Sequence, residues 1–171
     1  MYRDERKVIN MTLLEKRKAK YPDTRTFHYH NANPRNKITT DCVIRALSTG
    51  LQMEYNDVVM ELAKMQCETG LDDGDTQLID KYLKSKGWIR CKQPKKSDGR
   101  KYTGEQFCLR LMHPIYSEEL NLYSLPFDAH HVIADLGGHH IVAIVSGQVW
   151  DTWNSTQGCI GIVWVNPARF P

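Results

Sequence analysis

Three residues in this sequence have types and positions that could do chemistry together: Cys42, His140 and either Asn154 or Asp151. The cysteine lies in the stretch Thr39-Thr40-Asp41-Cys42-Val43-Ile44-Arg45-Ala46-Leu47-Ser48-Thr49-Gly50. Thr40 and Asp41 are residue types that cap helices, and Gly50 supplies a stop, which puts Cys42 in the first turn of a helix. A thiol there feels the partial positive charge of the helix N-terminus, which favours thiolate over thiol. The unpaired N–H groups of the same turn point at whatever the sulfur attacks, so they can stabilise a developing oxyanion. A lone cysteine is equally at home as a small apolar core residue. What distinguishes this one is the histidine further along.

His140 opens the unbroken apolar run Ile141-Val142-Ala143-Ile144-Val145. At the mouth of a buried strand its ring can meet a thiol held at a helix N-terminus and act as its base. A third residue, on the next strand, would orient the imidazole. The hairpin register selects it. A turn symmetric about Gly147 sets Asn154 opposite His140, whereas a two-residue Ser146-Gly147 turn sets Asp151 opposite Val142, diagonal to His140 on the same face. Direct opposition favours Asn154, because a diagonal pair is roughly 7–8 Å apart at the backbone. Asp151 is the alternative.

Several elements must position these residues. A short basic helix is expected around Thr12–Lys20, followed by a Pro-, Asn- and His-rich loop from Tyr21 to Ile38. After the cysteine helix, Tyr55, Val58, Val59, Leu62 and Met65 form one apolar stripe on a helix ending at Gly70. Asp75 caps a third helix bearing Leu78, Ile79, Tyr82 and Leu83, stopped by Gly87, and Trp88–Cys91 reads as a strand. Thr103 and Gln106 have capping-box spacing, which starts a helix running to Arg110. Residues 115–128 show no period. Strands are then expected at His131–Asp135, His140–Val145, Val149–Asn154 and Ile160–Val165. Helices first and an antiparallel sheet afterwards define an α+β domain. Its core should join Val58, Val59 and Leu62 to strands bearing Val142, Ile144 and Val163, with Ile44 and Leu47 between them.

Composition excludes several classes. The 171 residues suit one domain, here 21–171 behind a basic segment 1–20. No apolar run approaches the roughly 20 residues of a membrane span, and the basic start is no signal peptide, so a cytoplasmic protein without a membrane partner is expected. The cysteines at 42, 67, 91, 108 and 159 are odd in number and lack Cys-x-x-Cys spacing, which argues for reduced thiols. The pairs His28/His30, His130/His131 and His139/His140 make poor chelates, so no metal and no cofactor is expected. Of the net charge of +3, segment 1–20 carries +4 and the body is nearly neutral. A second basic cluster (Arg90, Lys92, Lys95, Lys96, Arg100, Lys101) surrounds Asp98-Gly99. Both read as solvated tail and loop rather than a nucleic-acid surface.

The order of a cysteine on an N-terminal helix, a histidine opening a strand and an Asn or Asp on the next strand resembles the papain-like cysteine peptidase superfamily. Asn154-Ser155 resembles the Asn-Ser-Trp turn that follows the histidine strand there. The chain also resembles small, uncharacterised papain-like proteins of phages and prophages across about residues 27–165. The shared segments are Asn33-Pro34, Asp41-Cys42-Val43-Ile44-Arg45-Ala46-Leu47-Ser48, Tyr102-Thr103 and Asp151-Thr152-Trp153. The resemblance implies a papain-like arrangement, with the nucleophile helix packed on a C-terminal sheet, and, if phage-encoded, a bacterial host cytoplasm as location. Such enzymes carry a glutamine about six residues before the cysteine as oxyanion donor; here that place holds Asn36, with the same amide on a shorter arm.

The expected function is cysteine-dependent acyl transfer on a protein or peptide substrate, of peptidase, amidase or deamidase type, with Cys42 as nucleophile and His140 as proton relay. The alternative is a papain-like binding module that occupies a host partner without turnover.

Overall fold

A computed structural model describes residues 11–113, 120, 122 and 126–167. Among the described residues, five helices and a six-stranded sheet form an α+β fold in the order α1 (Leu13–Lys20), β1 (Phe27–Tyr29), α2 (Cys42–Leu51), α3 (Tyr55–Thr69), α4 (Thr76–Ser85), β2 (Ile89–Cys91), α5 (Gly104–Leu111), β3 (Phe127–Leu136), β4 (His140–Val145), β5 (Gln148–Asp151) and β6 (Ile160–Pro167). The strands lie β1-β5-β4-β3-β6-β2. The sheet is mixed rather than antiparallel throughout, because β1 runs parallel to β5 on one edge. That strand falls inside the segment expected to be loop. Three residues are too few to show a period, and they become a strand only by pairing with β5.

Local signals placed most helix ends. At α5, Gln106 N–H donates to Thr103 Oγ1 and Thr103 N–H to Gln106 Oε1, both at 3.2 Å. Asp75 caps α4 by accepting from Gln77 N–H at 2.7 Å. Gly70 ends α3 in the left-handed region. Gly50 is a correction. Helix α2 runs one residue past it and is closed by Gln52, itself left-handed at φ 55°. The glycine serves packing instead, since a Cβ there would meet Ile133 Cγ1 at 2.6 Å, so its absence lets α2 lie down on β3.

Both faces of the sheet are covered, which explains why β4 reads as an unbroken apolar run. Helices α2, α3 and α4 bury Val43, Leu47, Val58, Leu62 and Leu78 against Ile133, Ile141 and Trp164. On the other face, Phe107, Cys108 and Leu111 of α5 pack with Val132, Val142, Ile144 and Val163. The expected residues Leu62, Val142, Ile144 and Val163 are all buried, but Leu62 lies on one face of the sheet and the three strand residues on the other. Alternation along a strand sends Ile141 to one face and Val142 to the next, and only the assembled sheet tells which helix waits on each side. Val59 and Ile44 are half-buried.

Helix α1 carries a capping box between Thr12 and Glu15 and buries none of its residues. The expected basic segment therefore divides into this peripheral helix and residues 1–10, which lie outside the described residues, as do most of 115–128. A chain starting at Tyr21 should fold with a loss of stability within about 0.5 kcal/mol, as for surface changes generally. Urea unfolding of the two forms checks this; a larger loss would make the segment part of the domain.

Candidate active site

Cys42 is the first residue of α2, with Asp41 at the N-cap. Asp41 makes no side-chain cap hydrogen bond. Its buried carboxylate is turned sideways, accepting from Tyr55 Oη at 2.7 Å and Asn33 Nδ2 at 3.2 Å while pairing with Arg45 one turn further along. The sequence expectation of a side-chain cap thus fails here, because stronger donors compete for the carboxylate. The N–H groups of the first turn thus receive no hydrogen bond from the capping side chain.

The half-buried thiol and the His140 ring line one open cleft of about 670 Å³. Burial pushes the Cys42 thiol up, but hydrogen bonds from the His140 ring and the Ile141 N–H, with the charges of His140 and Arg45, bring it below the ordinary cysteine value. The same contacts act on the histidine in reverse. Burial lowers its pKa, yet the hydrogen bonds to Asp151 and Cys42 outweigh this and raise it to about 9. The thiol thus moves down and the imidazole up, the pair of directions that favours a thiolate beside an imidazolium. Cys91 and Cys108, by contrast, are pushed by burial to about 11 and about 12.

His140 Nε2–H donates to Asp151 Oδ2 at 2.6 Å, which leaves Nδ1 as the nitrogen for the thiol. The carboxylate is itself held: Oδ2 also accepts from Ser155 Oγ at 3.0 Å, and Oδ1 from Thr152 N–H at 2.7 Å. Asp151 is 4% exposed, so this bond forms away from water. The ring of Trp153 packs tilted against His140 with centroids 5.1 Å apart, and both rings line the cleft.

The register that brings Asp151 to His140 overturns the expectation of direct opposition by Asn154. Ala143 pairs with Trp150 and Val145 with Gln148, the register of a two-residue turn. Ser146 and Gly147, at φ 47° and 77°, supply the left-handed pair that a tight hairpin turn requires. The backbone-distance argument failed because a carboxylate and an imidazole on one face span a diagonal that their Cβ atoms do not. Asn154 lies beyond β5, where its Oδ1 accepts from Thr156 Oγ1 at 2.6 Å and Thr156 N–H at 3.2 Å, bracing the turn that carries Ser155.

Asn36 is a second correction. It is an exposed residue in a turn closed by its own N–H to Asn33 O, at φ 52°, and it is not among the residues lining the cleft. Asparagine tolerates that left-handed backbone, which accounts for its presence there. The donors that reach the thiol are the His140 ring and the Ile141 N–H.

Other cleft residues were not anticipated. Thr39, Thr40, Asp73, Asp135 and His139 line it, with no Lys or Arg among the lining residues. Trp153 and Ser155 were visible only as part of a short motif, while Arg45 carried a usable signal, since an Asp-x-x-x-Arg spacing places the pair on one helix face. The histidine pairs have other engagements. His28 and His30 flank Trp150 at 4.6 and 4.9 Å, and His131 contacts Asp128 at 2.9 Å. Among the described residues no three His, Cys, Asp or Glu side chains are grouped to hold a metal ion. Nor, among them, is any helix long and apolar enough to cross a membrane. No protein-family model, curated protein or solved structure gives a significant match to this chain.

Proposed function

We propose that this protein is a papain-like cysteine-dependent acyl-transfer enzyme acting on an amide of a protein or peptide, with Cys42 as nucleophile, His140 as proton relay and Asp151 as the group that orients the ring. One observation carries the reading: a thiol of depressed pKa at a helix N-terminus meets an imidazole whose far nitrogen is fixed by a buried carboxylate at 2.6 Å.

In this mechanism the Cys42 thiolate attacks the carbonyl carbon, and the carbonyl oxygen becomes an oxyanion held by N–H groups of the α2 first turn. The imidazolium then gives its proton to the departing nitrogen as the C–N bond breaks, leaving a thioester on Cys42. Neutral His140 next takes a proton from water, whose oxygen attacks the thioester and restores the thiolate and imidazolium. Asp151 keeps Nε2–H pointed away from the thiol throughout and stabilises the imidazolium without taking its proton. An amine in place of water would give transfer to that amine.

The test is a pH profile of turnover with labelling by an electrophilic thiol reagent, followed by mass spectrometry to locate the adduct. Limiting iodoacetamide at pH 7 should modify Cys42 first, and Cys42→Ala should abolish that adduct. Turnover needs thiolate and imidazolium together. Activity should thus appear as pH rises through the depressed Cys42 value and fall as it passes the His140 value of about 9. In His140→Ala the thiol loses its neighbouring cation, and its labelling should move to higher pH. First modification at Cys67 or Cys159 would reject the assignment.

A further inference from the structure

Arg45 is buried one turn behind the nucleophile, its side chain 8% exposed, between two carboxylates that are buried as deeply. Its Nη1 bonds Asp41, the N-cap of α2, and its Nη2 lies 3.7 Å from Asp151 Oδ1, on β5. Two carboxylates cannot both stay ionised in such a place without a cation, and an arginine side chain does not give up its proton. We propose that Arg45 is a positioning residue that ties the helix carrying Cys42 to the carboxylate orienting His140 and supplies the positive charge that lets both carboxylates be buried. This rests on the reading of Cys42 and His140 as the reacting pair.

The geometry explains why the residue is an arginine. A planar guanidinium with nitrogens on separate arms reaches Asp41 and Asp151 at once, whereas an ammonium is a point charge that satisfies one. Because the two carboxylates sit on different elements, the bridge ties the start of α2 to the end of β5 and, through the Asp151–His140 hydrogen bond, the thiol to the imidazole. The ionisable groups that face Arg45 are Asp41 at the head of α2, Tyr55 on α3, Tyr29 and His30 at β1, and Asp151 on β5. Those that act on the thiol are His140 and Arg45 itself. Tyr55, held by Asp41, is raised to about 12 and stays a neutral donor across the working range. Asp41 therefore spends its charge on Arg45 rather than on the helix N-terminus, and the first turn remains open for an oxyanion.

Two substitutions separate charge from reach. In Arg45→Met the ultraviolet titration of the Cys42 thiolate, taken as a difference from the matching Cys42→Ser protein, should move up, because a positive charge that favours the thiolate is removed. In Arg45→Lys the charge stays and the midpoint should stay with it, but the bridge is lost. The low-field proton resonance of the His140–Asp151 hydrogen bond should then broaden or vanish while the melting temperature changes little. A folded Arg45→Met protein with a wild-type midpoint overturns the proposal, and so does an Arg45→Lys protein that keeps the low-field resonance unchanged. Should Arg45→Met fail to fold, the lysine variant decides alone, since a merely structural arginine would leave that resonance in place. Neither measurement needs turnover, so an inactive Cys42 would refute the enzymatic reading and still leave the role of Arg45 decided.

Discussion

Asp151→Asn should lower turnover by about 10²–10⁴-fold with the fold intact, whereas Asn154→Ala should keep most of it. The carboxylate accepts the Nε2 proton of His140, and so fixes the tautomer that turns Nδ1 to the thiol. An amide of the same shape can still accept one hydrogen bond but supports no imidazolium, so His140 should titrate lower and the alkaline limb of the pH profile should move down from about 9. Asparagine is preferred to alanine because it leaves partners for Ser155 and Thr152, both of which donate to Asp151. Asn154 acts on Thr156 alone. Its loss should loosen the turn after β5 by about 1 kcal/mol, the net worth of a hydrogen bond, with turnover within a few-fold of wild type. Turnover measured for both variants beside their melting curves checks this. A silent Asp151→Asn with a dead Asn154→Ala would return the role to the asparagine.

The second large effect concerns the two-sided core. Leu62→Ala and Ile144→Ala should each cost about 2–5 kcal/mol, since each removes a fully buried branched side chain from close packing. Leu62 packs with the α2–α4 layer and Ile144 with α5, on opposite faces of the sheet. The double variant should therefore lose the sum of the two within about 0.5 kcal/mol. Urea denaturation of the three variants measures it. Because a domain of this kind has only about 5–15 kcal/mol in total, the summed loss of about 4–10 kcal/mol should move the double variant's urea midpoint far below that of either single variant. Strong non-additivity would mean that the two layers share one cavity or relax together.

Reading order alone, the sequence carried the pieces of the site that depend on neighbours in the chain. The helix start at Cys42, the strand start at His140, the capping box at Thr103 and the stops at Gly70 and Gly87 all follow from local backbone chemistry, which acts within a turn or two. The α+β class followed from the same signals laid end to end. What tertiary structure alone decided is relative placement. Which of Asp151 and Asn154 meets His140 turned on a one-residue difference in hairpin register, set by two left-handed residues in a turn whose sequence also permits a longer loop. The face on which Val142 or Ile141 is buried, the short parallel strand at Phe27–Tyr29 and the close approach that reserves Gly50 for glycine depend on partners distant in the chain. The role of Asp41 changed for the same reason. By its neighbours it is a helix cap, but folding surrounds it with Arg45, Tyr55 and Asn33, and a buried carboxylate goes to its strongest donors.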